Sequence, residues 1–181
     1  MVFDSQVQKI YHARLMSARI VIDTLDFVRN TRTHHGKIKL DGFVRLQDYL
    51  SDSQGKLEYK VSGTLDKNGK PIIQVTIKGT INLHCQRCLD GLAHVLDIQT
   101  AILLVESESE LYRLDGTESV DGILAASDTD VLALIEDEII LSLPISPRHR
   151  EDECSASELT NSYAIGKKHP FATLATLKKL H

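Results

Sequence analysis

The stretch from Leu57 to Gly91, LEYKVSGTLDKNGKPIIQVTIKGTINLHCQRCLDG, decides how the rest of the chain is read. Leu57, Tyr59, Val61, Gly63 and Leu65 alternate with Glu58, Lys60, Ser62 and Thr64. After DKNGKP the alternation resumes as Ile73, Val75, Ile77, Gly79, Ile81 and Leu83 against Gln74, Thr76, Lys78, Thr80 and Asn82. A period of two sends successive side chains to opposite faces, so the pattern predicts two half-buried strands. Asn68-Gly69 tolerates the positive φ of a tight turn, which predicts a hairpin. Leu92, Leu96, Ile98, Ile102 and Leu104 keep one parity between Leu92 and Val105 and predict a third strand. Residues 55–105 are therefore expected to form a central antiparallel meander, with HCQRCLDG at the turn between its second and third strands.

On the N-terminal side, Val7, Ile10, Tyr11 and Leu15 follow Ser5 at helical spacing and predict a helix ending near Arg19. The next stretch, Ile20 to Leu40, gathers Arg29, Arg32, Lys37 and Lys39 around His34, His35 and Gly36. It reads as a basic connecting loop that leads into a short strand, so helix and loop account for residues 1–42. FVRLQDYL, 43–50, has helix-like spacing through Phe43, Leu46, Tyr49 and Leu50.

On the C-terminal side, 106–130 turns acidic and rich in Ser, Gly and Asp, the composition of a solvated connection. Asp128 or Asp130 is placed to cap a helix starting near Val131, with Leu132, Ile135 and Ile139 on one face and Glu136, Asp137 and Glu138 mostly off it. Pro144 ends that helix, because the residue before a proline is pushed out of the helical region. Residues 131–154 thus comprise a late helix and a polar loop carrying His149 and Cys154, and 155–181 form a tail. In the tail, Phe171, Leu174 and Leu177 make an apolar edge beside Lys178, a candidate partner-docking segment. The expected class is α+β, one domain over 1–181 with helices flanking the sheet.

Composition narrows the function. Hydrophobic residues are 42% and charged residues 25% of 181, values ordinary for a globular protein with a real core. The longest apolar runs, such as Ala101 to Val105, fall far short of the ~20 residues that cross a bilayer, and MVFDSQVQKIYHARL lacks the apolar block of a secretion signal. A cytoplasmic setting is expected. Residues 1–90 carry 14 Lys/Arg against 9 Asp/Glu and residues 91–181 carry 7 against 16, so the chain is electrically two-sided. A basic half suits phosphate, and an acidic half suits a basic protein. Neither a glycine-rich phosphate cradle nor a nucleophile with a matched base is found, which predicts no enzyme and no small-molecule substrate.

Three cysteines cannot pair among themselves without leaving one over, so metal or thiol chemistry is expected rather than a disulfide framework. Cys85 and Cys88 form a Cys-x2-Cys pair at a β-turn. Thioredoxin-type chemistry places such a pair at a helix N-terminus, which lowers the thiol pKa. His149 and Cys154 supply a second pair, His-x4-Cys, and together the four residues complete a Cys3His set suited to a structural zinc ion. The competing reading is unliganded thiols packed near a turn, with 60 residues separating Cys88 from His149. His84 is a rival ligand, and His94 fits a core histidine.

The C-QRC-L knuckle, EDEIILSLP from Glu136, the Pro-x-His-x4-Cys after it and the closing PFATLATLKK together carry a resemblance. The chain resembles the bacterial and plastid YceD-like family, the large ribosomal RNA subunit accumulation proteins, from about Leu25 to Lys179. The specific matches are Cys85, Arg87, Cys88, Glu136 to Pro144, His149, Cys154 and Phe171 to Lys178. Leu25-Asp26, Val28-Arg29, Gly36 and Arg45 match more loosely, and Phe27 stands where a proline is expected.

The resemblance implies a non-enzymatic factor for synthesis, processing or stability of 23S ribosomal RNA, often encoded beside a small ribosomal protein. Precursor ribosomal RNA would then meet Arg29, Arg32, Lys37, Lys39, Arg45 and Arg87. The alternatives are an adaptor or chaperone for a basic ribosomal protein, docking through the acidic 106–138 region or the tail, and a Cys85/Cys88 thiol redox protein.

Overall fold

A computed structural model of the protein describes residues 19–115 and 121–155. The N-terminal helix expected before Arg19 and the tail residues Phe171, Leu174, Leu177 and Lys178 lie outside the described residues. The chain opens with a short strand β1 (Val21–Ile22), a helix α1 (Thr24–Arg29) and a strand β2 (Thr33–Lys39). Two 3-10 turns, Leu40–Gly42 and Leu46–Tyr49, lead to β3 (Lys56–Leu65), β4 (Pro71–His84) and β5 (Gly91–Val105). Helix α2 (Glu108–Asp115), strands β6 (Gly122–Leu124) and β7 (Thr129–Asp130) and helix α3 (Val131–Ser142) follow.

The architecture is α+β with a mostly antiparallel sheet and few helices. Five strands pair in the order β2-β3-β4-β5-β6, antiparallel except at β5–β6, and β1 pairs with β7 in a separate two-stranded ribbon. The period-two pattern sets the burial. Leu57, Tyr59, Val61, Ile73, Val75, Ile77, Ile81, Leu83, Leu96, Ile102 and Leu104 all lie in the main core. Against that inner face pack Phe27 and Val28 of α1, Leu40, Phe43, Leu46 and Leu50 of the turn segment, and Val131, Leu134, Ile135 and Ile139 of α3. Leu65, on the same parity but at the strand end, is 58% exposed. A second, smaller cluster of Ile72, Leu103 and Val105 faces the other way and meets Leu111 of α2.

Capping at α3 follows the sequence closely. Asp130 accepts from the Leu132 N–H at 2.9 Å, which satisfies one of the helix's free donors. Leu143, directly before Pro144, turns extended at φ −66° and ψ 140°, and the helix stops at Ser142.

Three stretches differ from the sequence expectation. Ile20 to Leu40 is not a connecting loop: it holds β1, α1 and an edge strand, β2, paired with β3 from Thr33↔Ser62 to Lys39↔Lys56. Helix α1 spans only six residues, too few to display a 3.6 period, and is set by the Asp23 cap on the Asp26 N–H and by docking of Phe27 and Val28. Strand β2 turns His34, Gly36 and Ile38 inward, so it carries little apolar signal. His34 stacks on Tyr59 with ring centroids 5.7 Å apart, and its Nδ1 lies 2.9 Å from the Tyr59 hydroxyl. Residues 43–50 make a single 3-10 turn rather than an α-helix. The acidic 106–130 stretch is structured at its described ends, because β6 is parallel to β5 and a parallel pair needs a crossover, which α2 begins.

Gly63 shows how closely α1 approaches the sheet. A Cβ there would stand 2.7 Å from the Phe27 carbonyl oxygen and 2.7 Å from the Val28 Cα, both backbone atoms that cannot swing aside. Gly63→Ala is expected to push α1 off β3 and cost about 1–3 kcal/mol, the usual range for overpacking. The fall in urea midpoint measures it, and an unchanged midpoint would show that the helix yields freely.

Candidate metal centre

The β4–β5 hairpin ends in a turn, 85–90, whose shape is fixed by its own backbone. His84 pairs with Gly91, the Cys85 N–H donates to the Asp90 carbonyl at 2.9 Å, and the Leu89 N–H donates back to the Cys85 carbonyl at 2.8 Å. Leu89 adopts φ +65° to close the turn. This winding brings the Cys85 and Cys88 side chains to one side, and no helix starts at the pair. The segment after α3 then crosses the turn. The Gln86 N–H donates to the Pro147 carbonyl at 2.8 Å, Arg87 Nη2 to the Arg150 carbonyl at 3.3 Å and Ser155 Oγ to Asp90 Oδ2 at 2.7 Å.

These ties bring together the four residues expected from the sequence. Cys85, Cys88 and Cys154 Sγ and a His149 ring nitrogen all lie within 4.8 Å of one another, with Cys85 and Cys154 buried and the other two half-buried. A tetrahedral ion ~2.3 Å from each sulfur sets ligand atoms roughly 3.8 Å apart, so only a small contraction is required. The imidazole is oriented for the task. His149 Nε2 is 3.1 Å from the Gly91 carbonyl, which accepts and so requires the proton on Nε2. Nδ1 thereby presents its lone pair toward the sulfurs, 3.3 Å from Cys88 Sγ. His84, the rival ligand, lies outside the cluster.

The surroundings favour thiolate. Burial by itself raises the Cys85 thiol, but the backbone N–H groups of Cys88, His149 and Arg87 and the Cys88 side chain outweigh it and bring the pKa down to about 5. Without a metal, His149 is shifted upward, first by its hydrogen bond to Cys88, so an ion binding there would displace the Nδ1 proton. Arg87 donates from Nε to Cys154 Sγ at 3.0 Å, placing a positive charge against the sulfur cluster, and its own pKa is raised mainly by that bond. Three thiolates and one imidazole around a divalent ion would carry one excess negative charge, and the guanidinium is positioned to offset it. The donor set and its surroundings therefore fit a metal.

The residues expected to meet RNA are distributed over separate places. Arg29 and Arg32 are exposed around the end of α1, Arg32 3.2 Å from Asp26. Lys37 and Lys39 lie on the outer side of the sheet, Lys37 bridged to Glu58 at 2.6 Å. Arg87 belongs to the knuckle. Arg45 is held against α3, reaching Glu136 at 3.1 Å and Asp137 at 2.5 Å, and its pKa is raised first by Asp137 and then by Glu136.

The role of Glu136 was not visible in the sequence, where EDE looks like a charged helix surface. Its carboxylate is buried and accepts the Arg45 N–H at 2.7 Å and the Leu46 N–H at 3.0 Å. It pins the turn segment to α3. The available hints were its adjacency to the apolar Ile135 and its place, with Arg45, among the resemblance matches.

Fold and site together define a small α+β protein with a closed Cys3His cluster at a hairpin turn. The family model for the large ribosomal RNA subunit accumulation protein YceD matches residues 73–178, which include all four cluster residues, and the chain belongs to this family. A relative of the same name from Haemophilus influenzae is 26% identical over 136 residues, 72% of this chain and 76% of the relative. No solved structure matches the chain. No helix among the described residues is long and apolar enough to cross a membrane.

Glu136→Ala would leave the Arg45 and Leu46 backbone N–H groups without their partner, while the guanidinium keeps Asp137, with an expected loss of about 2–4 kcal/mol. Arg45→Ala should cost clearly less, since the carboxylate keeps both backbone partners. Urea denaturation of the two variants checks the order, and equal losses would contradict the pinning role.

Proposed function

We propose that this protein is a non-enzymatic factor in the synthesis, processing or stability of large-subunit (23S) ribosomal RNA, and that Cys85, Cys88, His149 and Cys154 hold a structural zinc ion within it. Membership in a family named for accumulation of that RNA supports the cellular role. The observation that carries the metal reading is the convergence of three sulfurs and one oriented imidazole from two distant segments. Four protein donors complete a tetrahedron and leave no coordination position for a substrate, which makes the site structural.

Zinc, when bound, supplies a cross-link between the 85–90 turn and the loop after α3. The chain's own residues prepare for it. Backbone N–H groups stabilise the Cys85 thiolate, Gly91 holds the His149 tautomer, and Arg87 balances the charge. A thiol redox role is disfavoured by the same geometry, because the third sulfur and the imidazole are held against the Cys85/Cys88 pair and tightly bound metal would keep both thiols out of disulfide exchange.

Purified protein is expected to carry one equivalent of zinc, and Cys85→Ser or Cys154→Ser to lose it. Chelation should lower the Tm by more than about 10 °C, since metal binding energy becomes folding energy. Metal-free protein with an unchanged Tm would remove the zinc reading. In cells lacking the protein, large-subunit ribosomal RNA should fall relative to small-subunit RNA and recover with the wild-type chain. An unchanged ratio would remove the cellular reading.

A further inference from the structure

The alternation that fills the core on one side of the sheet leaves a polar face on the other. Helix α2 covers one end of that outer face over Ile72, Leu103 and Val105. Away from α2, outward residues of β2 to β5 are exposed or half-exposed, and no described element lies over them. Paired residues read across the strands as rows. One row, Lys37–Glu58–Lys78–Asp97, alternates in sign and contains two ion pairs, at 2.6 Å and 3.1 Å. That row is neutral.

The rows beside it are not. On one side, Lys39 stands directly opposite Lys56, and on the other His35 stands opposite Lys60. Directly opposed residues place their Cβ atoms about 5 Å apart, and like charges there destabilise the sheet. Among the described residues, Lys39, Lys56 and Lys60 form no ion pair. The Lys39–Lys56 pairing is a standing local cost that a polyanion would convert into attraction, and Lys60 adds a third positive charge on the same ribbon.

We propose that this outer face, centred on Lys39, Lys56 and Lys60, binds the phosphate backbone of RNA; the choice of RNA as the polyanion rests on the ribosomal reading above. Lysine is depleted from the cores of protein–protein interfaces, so three unpaired lysines on an open face suit phosphate better than an acidic protein. Thr76 and Gln99 continue the His35–Lys60 row, and Ser62 and Gln74 pair in the row next to it, so both rows offer further donors. The outward positions of β2 to β5 hold no Phe, Tyr or Trp for bases to stack on, so contact falls on the backbone and tolerates sequence. Glu108 and Glu110 lie in the first turn of α2 and Glu106 just before it, so the end of the sheet that α2 covers is acidic and the lysines lie on the uncovered part.

The test is anisotropy of a labelled mixed-sequence RNA against the full chain and its K39Q/K56Q/K60Q variant, titrated between about 50 and 200 mM salt. The variant should bind at least about tenfold more weakly at the low-salt end, with a log–log salt slope shallower by about 2, from roughly 0.7 per lost phosphate contact on a single strand. Its Tm should be unchanged or higher, because a like-charge pairing has been relieved, and Lys67→Gln on the β3–β4 turn should leave affinity unchanged. Equal affinity and slope for wild type and triple variant would overturn the proposal, as would a wild type that binds no RNA at low salt. Retained RNA affinity with loss of a partner protein that co-purifies after nuclease treatment would overturn it in favour of protein docking. None of these outcomes bears on rRNA levels in deletion cells, and normal levels there with the predicted loss of binding would leave the face an RNA surface and remove the ribosomal reading instead.

Discussion

The register of β4 against β5 governs most of what this protein is. Continuous pairing from Ile72↔Leu103 to His84↔Gly91 divides every side chain on two long strands between an inner and an outer face. A slip of one residue would exchange those faces, exposing Ile73, Ile77 and Ile102 and burying Lys78 and Asp97. Burial against α1, α3 and the turn segment makes that exchange prohibitive. The same register delivers the chain to a six-residue turn with Cys85 and Cys88 on one side. Core, polar face and cysteine knuckle are thus three consequences of one pairing.

The knuckle needs a second constraint, and α3 provides it. Helix α3 is anchored at its start by β7 pairing with β1 and along its length by Ile135, Ile139 and the buried Glu136. Ended by Pro144, it releases the loop that carries His149 and Cys154 back to the hairpin. Hydrogen bonds from Gln86, Arg87 and Ser155 then settle the loop on the turn. The cluster is therefore the meeting of two elements held separately by the core, and a metal held there would tie together parts of the fold already in contact.

Function divides along the same lines. The cluster has the donor set of a metal site, with two buried sulfurs, a third half-buried, an oriented imidazole and a compensating guanidinium. Away from the cluster, the outer sheet face sets Lys39 against Lys56 and leaves Lys60 without an ion pair among the described residues. Family membership connects the chain to large-subunit ribosomal RNA, and the charge on the outer face offers a physical means for such a protein to meet a polyanion.

Much of this was legible in the chain itself. The alternation at 57–83 and the parity at 92–104 fixed strands, inner face and turn, because period-two patterning is a local property of sequence. Asp130 and Pro144 likewise marked the ends of α3 through local backbone chemistry. The four residues that converge were readable as a candidate metal set, the cysteines because there are only three of them and His149 because it forms a His-x4-Cys pair with Cys154. Helix α1 and the full reach of strand β2 back to Thr33 were not readable, although a short strand was expected there, because a six-residue helix and an edge strand with inward His34 and Gly36 draw their stability from Gly63, Tyr59 and the sheet rather than from their own pattern. Nor could local sequence assign Arg45 to Glu136 or set Lys39 against Lys56, for each pairing joins residues whose separation in the chain says nothing of their distance in space. Sequence determined the periodicities, caps and donor atoms, which depend on neighbours along the chain; tertiary structure decided which donors converge and which charges face each other, because those depend on how the core packs.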